Sequence, residues 1–260
     1  MFPISDANPR KRGTPYVNVA LIVINVAVFL FMLTMNGVDQ DAFVYKFSLV
    51  PKELIDHVSY TTLHEPGTIV NIHTPVGNWV TVFTSMFLHG GLLHIGGNMV
   101  FLWVFGDNVE DRFGHFWYLL FYLAAGVAAG FAQVAIDPHS DVPSLGASGA
   151  IAGVLGAYLV FFPFNRVKTA VVFFLITFIE LPAIVLLGVW FALQAFSGVG
   201  DIVTAQTNAG SGVAYFAHIG GFVFGLLIAL VIKVVVRERL IPPRPPPDYW
   251  SLGRRRSWWN

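Results

Sequence analysis

Long stretches of this chain carry no charge, and that limits its fold more than any other feature. Residues 116–136 and 213–232 contain no Asp, Glu, Lys or Arg, and 169–200 contain only Glu180. An α-helix needs about 20 apolar residues to cross a ~30 Å hydrocarbon core. The apolar runs predict crossings at 16–36, 92–106, 116–136, 148–164 and 213–232. The run 169–200 is too long for one crossing and too short for two. The sequence predicts one, from about Glu180 to Phe196, after an interfacial or irregular piece. Pro182 suits a first helical turn, where its missing N–H costs nothing. The expected class is an all-α polytopic membrane protein with a six-helix bundle. The composition agrees: 12% of residues are charged, against about a quarter in soluble domains.

Charge tests the count. Six crossings put the N-terminal segment, the 107–115 loop, the 163–168 loop and the C-terminal segment on one side. That side holds every one of the 15 basic residues except Lys46 and Lys52. The positive-inside rule makes it cytoplasmic. Two crossings within 169–200 would move the basic C-terminal segment outside. The expected division is an N-tail at 1–15, a membrane domain at 16–236, and a basic, Pro-rich C-tail at 237–260. That tail is either solvated or in touch with anionic headgroups through its arginines and Trp250, Trp258 and Trp259. Arg10, Lys11 and Arg12 precede an apolar run too long for a signal peptide, so a retained first helix is expected. A bacterial inner membrane suits this layout. Zero net charge gives no reason to expect nucleic acid, and a chain without cysteine has no thiolate chemistry. The long loop 37–88 carries aromatics and prolines among its charges, and is expected to be ordered and partly membrane-embedded.

The crossings beginning near 92, 148 and 213 run in the same direction. Their outer ends carry His89, His94 and Asn98, then Ser148, then His218. Ionisable groups inside a bilayer are costly and mark function or a satisfied internal network. Ser148 opens its helix, where free N–H groups and the positive dipole end favour an anion. By itself it reads as an N-cap. Gly149 and Gly153 follow Ser148, and Gly221 and Gly225 follow His218, at spacings that allow two helices to approach closely. Close approach permits a Ser–His hydrogen bond of about 2.6–3.2 Å. His94 and Asn98 share one helical face, and either could donate to an oxyanion or simply join helices. His89 reads as a structural residue of the loop. No acid is spaced to complete a triad. Glu180 is expected near or below the midplane, bonded within the bundle, which leaves a Ser148–His218 dyad with neutral His218 as base.

At these residues the chain resembles the rhomboid family of intramembrane serine proteases. The resemblance rests on Gly146-Ala147-Ser148-Gly149, on Ala217-His218 with Gly221 and Gly225, on His94 and Asn98, and on Glu110-Asp111-Arg112-Phe113-Gly114. It covers about residues 17–236. It implies a rhomboid-like six-helix bundle with a wet cavity opening outward, Ser148 as nucleophile and His218 as base. It further implies an oxyanion site from His94, Asn98 and the backbone at Gly146–Ser148. Transmembrane proteins in the lipid bilayer would be the substrates, with no cofactor. Glu110 and Arg112 would be structural. Two positions depart from the family pattern. Val80-Thr81 stands where many members have Trp-Arg, with Trp79 a partial echo. Ala152 stands where some place an aromatic over the histidine, a duty Tyr215 or Phe216 could take.

Two other classes stay open on sequence: a catalytically silent relative that binds membrane helices, and a metal site built on His89, His94 and His218. The expected substrate route lies between the second and fifth crossings, or beneath a mobile cap at 197–212 containing Gly198, Gly200, Gly210 and Gly212. The oligomeric state is open.

Overall fold

The computed structural model describes residues 2–6, 13–65, 68–172, 176–205 and 214–243. Arg10, Lys11, Arg12, Gly210, Gly212 and the C-terminal 244–260, with its tryptophans, lie outside the described residues.

Strand β1 (Phe2–Asp6) precedes helix α1 (Tyr16–Met32). No side chain of its own caps α1. The buried Glu110 carboxylate does so instead, accepting from the N–H groups of Val17 (3.0 Å) and Asn18 (2.7 Å). A carboxylate at a helix N-terminus meets both the unpaired donors and the dipole. The described residues of the segment 37–88 carry regular structure. They fold as α2 (Gly37–Phe47), α3 (Pro51–Asp56), a hairpin of β2 (Thr62–Glu65) and β3 (Thr68–Asn71), and α4 (Asn78–Thr84). A 3-10 turn at Ser85–Phe87 extends α4, and a break at 88–91 bends the chain by 81° into α5 (Leu92–Phe113). Gly114, at φ 79°, links α5 directly to α6 (His115–Ile136). Helix α7 (Ser148–Phe161) follows.

The chain is mostly helical rather than all-helical. The run after α7 forms β4 (Arg166–Val172) and β5 (Ile176–Pro182), an antiparallel pair that β1 extends in the order β1-β4-β5. Glu180 therefore lies in a strand opposite Lys168, half-exposed and 3.6 Å from Arg166, and not inside a helix. β-branched and aromatic residues dominate this run and favour a pleated surface. The next helix, α8 (Ala183–Ala205), begins after Pro182 and continues through Gly198 and Gly200, where a loose cap was expected. Helix α9 (Tyr215–Val235) completes the bundle.

Helix α7 is the hub. Nearly all its side chains are buried, and α5, α6 and α9 pack around it with Leu102, Phe105, Tyr118, Tyr122, Leu155 and Tyr158 in the core. The seam with α9 is made of backbone. A Cβ on Gly221 would lie 2.0 Å from the Gly149 carbonyl oxygen, and one on Gly225 would lie 1.9 Å from that of Gly153. At the far end of α7, Asp6 accepts from Asn108 Nδ2 (2.7 Å) and from the Tyr158 hydroxyl, which ties β1 to α5 and α7. Arg112 pairs with Glu238 at the same end and lies over the Phe161 ring. The N-terminal residues 2–6 are thus a docked strand, not a free tail.

The outer faces of α6, α8 and α9 expose Phe116, Trp117, Leu193, Phe196, Val231 and Val235. Among the described residues, three helices, at 115–136, 183–200 and 215–235, are long and apolar enough to cross a membrane, and four if α4, the turn and α5 count as one bent span. α1 and α7 are apolar but shorter.

Candidate active site

The loop between α6 and α7 is held at several points. Leu49 and Ser144 exchange two backbone hydrogen bonds (3.1 and 2.8 Å), and Gly146 N–H donates to Ser85 O (2.8 Å). Gly146 has φ +120°, and a Cβ there would meet His94 Nε2 at 2.7 Å. Only glycine suits both the conformation and the space. The turn delivers Ser148 to the first position of α7. Its first i→i−4 bond runs from Ile151 N–H to Ala147 O (2.9 Å). The N–H groups of Ser148, Gly149 and Ala150 are therefore the helix's open donors.

Ser148 is not a cap. Helix α7 has no side-chain cap, and Ser148 Oγ lies 2.8 Å from His218 Nε2. The glycine seam makes this reach possible, because it brings the first turns of α7 and α9 to backbone contact. On its other nitrogen, Nδ1, His218 meets Gln194 Oε1 of α8 at 2.7 Å. Trp190, one turn earlier on α8, lies at 6.2 Å from the His218 ring, and Tyr215 approaches it edge-on at 6.4 Å.

His94 and Asn98, on the first turns of α5, face the same space. His89 is fully buried in the loop before α5, and its Nε2 accepts from Asn98 Nδ2 at 2.9 Å. Its ring stands edge-on to that of His94 at 5.0 Å. A cavity of about 950 Å³ gathers Ser148, His218, His94, Asn98, Gln194 and Trp190 on its wall. The sequence reading missed Gln194 and Trp190. The signal was there: Gln194 is the one amide, hydroxyl or charged side chain between Ala183 and Phe196, and a lone polar group in an apolar span points to a partner inside.

Above the cavity, Asp141 accepts from the Tyr60 hydroxyl and pairs with Lys52 at 3.2 Å. The Tyr60 hydrogen bond, then Lys52, hold its carboxyl below the usual carboxylate range.

The family model described as Rhomboid domain matches residues 76–234. The chain belongs to the rhomboid family. Rhomboid protease GluP of Bacillus subtilis is 32% identical over 155 residues, 60% of this chain and 26% of GluP. RHOMBOID-like protein 5 of Arabidopsis thaliana is 23% identical over 211 residues, 81% of this chain and 62% of that protein. Rhomboid protein 1, mitochondrial, of Saccharomyces cerevisiae is 29% identical over 164 residues, 62% of this chain and 44% of that protein. The chain thus spans between about a quarter and three-fifths of these curated relatives' lengths. Family and apolar helices together make it an integral membrane protein.

This rhomboid departs from the family pattern at two places. Where many members have Trp-Arg it has Val80-Thr81 in α4, with Trp79 half-exposed against Phe131. Ala152 on α7 is fully buried and offers no ring to His218; Trp190 and Tyr215 stand beside the imidazole in its place.

Proposed function

We propose that this rhomboid is an intramembrane serine protease that hydrolyses peptide bonds in or next to transmembrane segments of other proteins. The observation that carries the reading is the 2.8 Å contact between Ser148 Oγ and His218 Nε2 on the wall of a large cavity. In this reading His218 Nε2 takes the hydroxyl proton as Ser148 Oγ attacks the scissile carbonyl carbon. The oxyanion that forms draws on the open N–H donors at the start of α7 and on His94 and Asn98. A primary amide has two N–H bonds; Asn98 uses one toward His89 and keeps the other for the oxyanion. His218 then returns the proton to the leaving amine, which frees the first product and leaves an acyl ester on Ser148. A water gives its proton to His218 and attacks that ester, and the second product departs as Ser148 Oγ regains its proton. Gly146 leaves room beside His94, while His89, Gly149, Gly221 and Gly225 hold the arrangement.

The fold enters this reading as a six-crossing domain at 16–236 with both termini in the cytoplasm of a bacterial cell. Helix α7 has 14 residues, about 21 Å against a ~30 Å core. With Phe161 near the cytoplasmic interface, Ser148 sits roughly 10 Å below the outer one. A substrate helix reaches it between α5 and α8, whose closest rings are Phe101 and Trp190 at 6.4 Å.

The test is cleavage of a transmembrane reporter in liposomes by wild type and Ser148→Ala, with a fluorophosphonate as active-site label. Wild type is expected to cleave and to label on Ser148, and the variant to do neither. Equal cleavage by the variant would refute the assignment. A wild type that is folded but neither cleaves nor labels would favour a silent, helix-binding relative. Against a metal site, both His218 nitrogens and His89 Nε2 already face protein partners.

A further inference from the structure

We propose that Gln194 is a positioning residue that holds His218 in the tautomer and orientation needed to accept the Ser148 proton, so that α8 supplies a third member to the Ser148–His218 pair. The proposal rests on the protease reading above. A neutral imidazole carries one N–H, and the ring accepts from Ser148 only if Nε2 holds the lone pair. The proton then sits on Nδ1 and needs an acceptor. Gln194 Oε1 lies 2.7 Å from Nδ1, on the opposite edge of the ring from Ser148. The two contacts agree on one tautomer. With the amide carbonyl toward the ring, the alternative tautomer would set two lone pairs against each other.

The choice of an amide follows from the surroundings. Soluble triads use an aspartate at this place. Within a bilayer a carboxylate is costly, whereas an amide oxygen accepts the same hydrogen bond without a charge. Gln194 follows Trp190 by four residues, so both leave α8 on one face, and Trp190 lies beside the same imidazole. Ala152 provides no ring cover from α7. Helix α8 thus grips His218 twice, by a hydrogen bond and by an indole, while α7 and α9 carry the reacting pair itself.

Gln194→Met keeps side-chain length and removes the acceptor; Gln194→Glu restores an acceptor with a charge. The measurements are kcat, KM and the pH profile of reporter cleavage in liposomes, beside Ser148→Ala. Gln194→Met is expected to lower kcat about tenfold or more with KM within about twofold, a share of the ~10²–10⁴ that a positioned base contributes. Gln194→Glu is expected to recover most of kcat and to move the acidic limb to higher pH, because a carboxylate stabilises the imidazolium. A packing role would leave that limb in place. The His218 ¹⁵N shifts give a readout independent of cleavage: a single Nδ1–H form in wild type and a tautomer mixture in Gln194→Met. Wild-type kcat in Gln194→Met, or identical His218 spectra in the two proteins, overturns the proposal. A Ser148→Ala variant as active as wild type instead removes the protease reading and this proposal with it.

Discussion

The α7–α9 seam and the α8 flank hold the same histidine by different means. In the seam, glycine Cα atoms press on carbonyl oxygens: Gly221 on Gly149, Gly225 on Gly153, and Gly156 on Phe222. No side chain there can change rotamer to relieve a misfit. On the α8 flank the contacts are all side chain: Gln194 and Trp190 on His218, Phe191 stacked on Phe222 at 4.6 Å, and Phe101 near Trp190. Backbone contact sets the distance between the helices carrying Ser148 and His218, while side-chain contact sets the aim of the ring. The first kind tolerates no added atom. The second can give way, as the substrate passage proposed between α5 and α8 requires.

The sharpest way to break this comparison is to add one methyl group on each side. Gly225→Ala puts a Cβ where only 1.9 Å separates it from the Gly153 carbonyl oxygen, so the two helices have to part. Overpacking costs about 1–3 kcal/mol and more where backbone is the obstacle. The expectation is a Tm lower by roughly 5 °C or more and loss of most reporter cleavage. Gly188→Ala on α8 meets nothing within 4 Å and is expected to hold or slightly raise the Tm, since Ala costs less backbone entropy in a helix. Equal Tm losses in both variants would erase the distinction between the flanks.

Gly146→Ala moves the test from the scaffold to the site. The new Cβ meets both a φ of +120° and His94 Nε2 at 2.7 Å. His94 has to shift, and a ~1 Å misplacement at a reacting centre costs about 10²-fold. A fall of that order in kcat, with a Tm drop smaller than that of Gly225→Ala, is expected from paired cleavage and melting measurements. An unchanged kcat would take Gly146 and His94 out of the machinery.

What the sequence made legible divides along the same line. Charge placement and glycine spacing pointed to Ser148, His218, His94 and Asn98, and the four line one cavity. Gln194 and Trp190 stayed hidden, since using them requires the rotation of α8 about its axis, and the run 169–200 was read with its helix starting near Glu180. The strands β4 and β5 were hidden for a related reason. Their Val, Thr, Ile and Phe are as apolar as a crossing, and hydropathy does not distinguish a hairpin from the approach to a helix. His89 was read as structural; its role as acceptor for Asn98 depends on the 81° bend between Phe87 and Leu92, in which it sits.

The smallest effect is expected where exposed side chains hold a loop. Asp141, with Tyr60 and Lys52, straps the segment before α4 to the loop before Ser148. The loop has other holds, in the Leu49–Ser144 pair and the Gly146–Ser85 hydrogen bond, and exposed ion pairs contribute little. Asp141→Asn should therefore leave kcat within about twofold of wild type and lower the Tm slightly. The pH dependence has a definite sign. The carboxyl is held below its usual range, so its share of stability is fully present above the ordinary value of about 4 and lost as pH falls through the lower folded-state value. The Tm difference between wild type and Asp141→Asn should be constant from pH 7 to 5 and shrink below about pH 4. A kcat loss as large as that of Gly146→Ala would show that the strap positions the site, and that side-chain contacts at the surface count for as much as the backbone seam beneath.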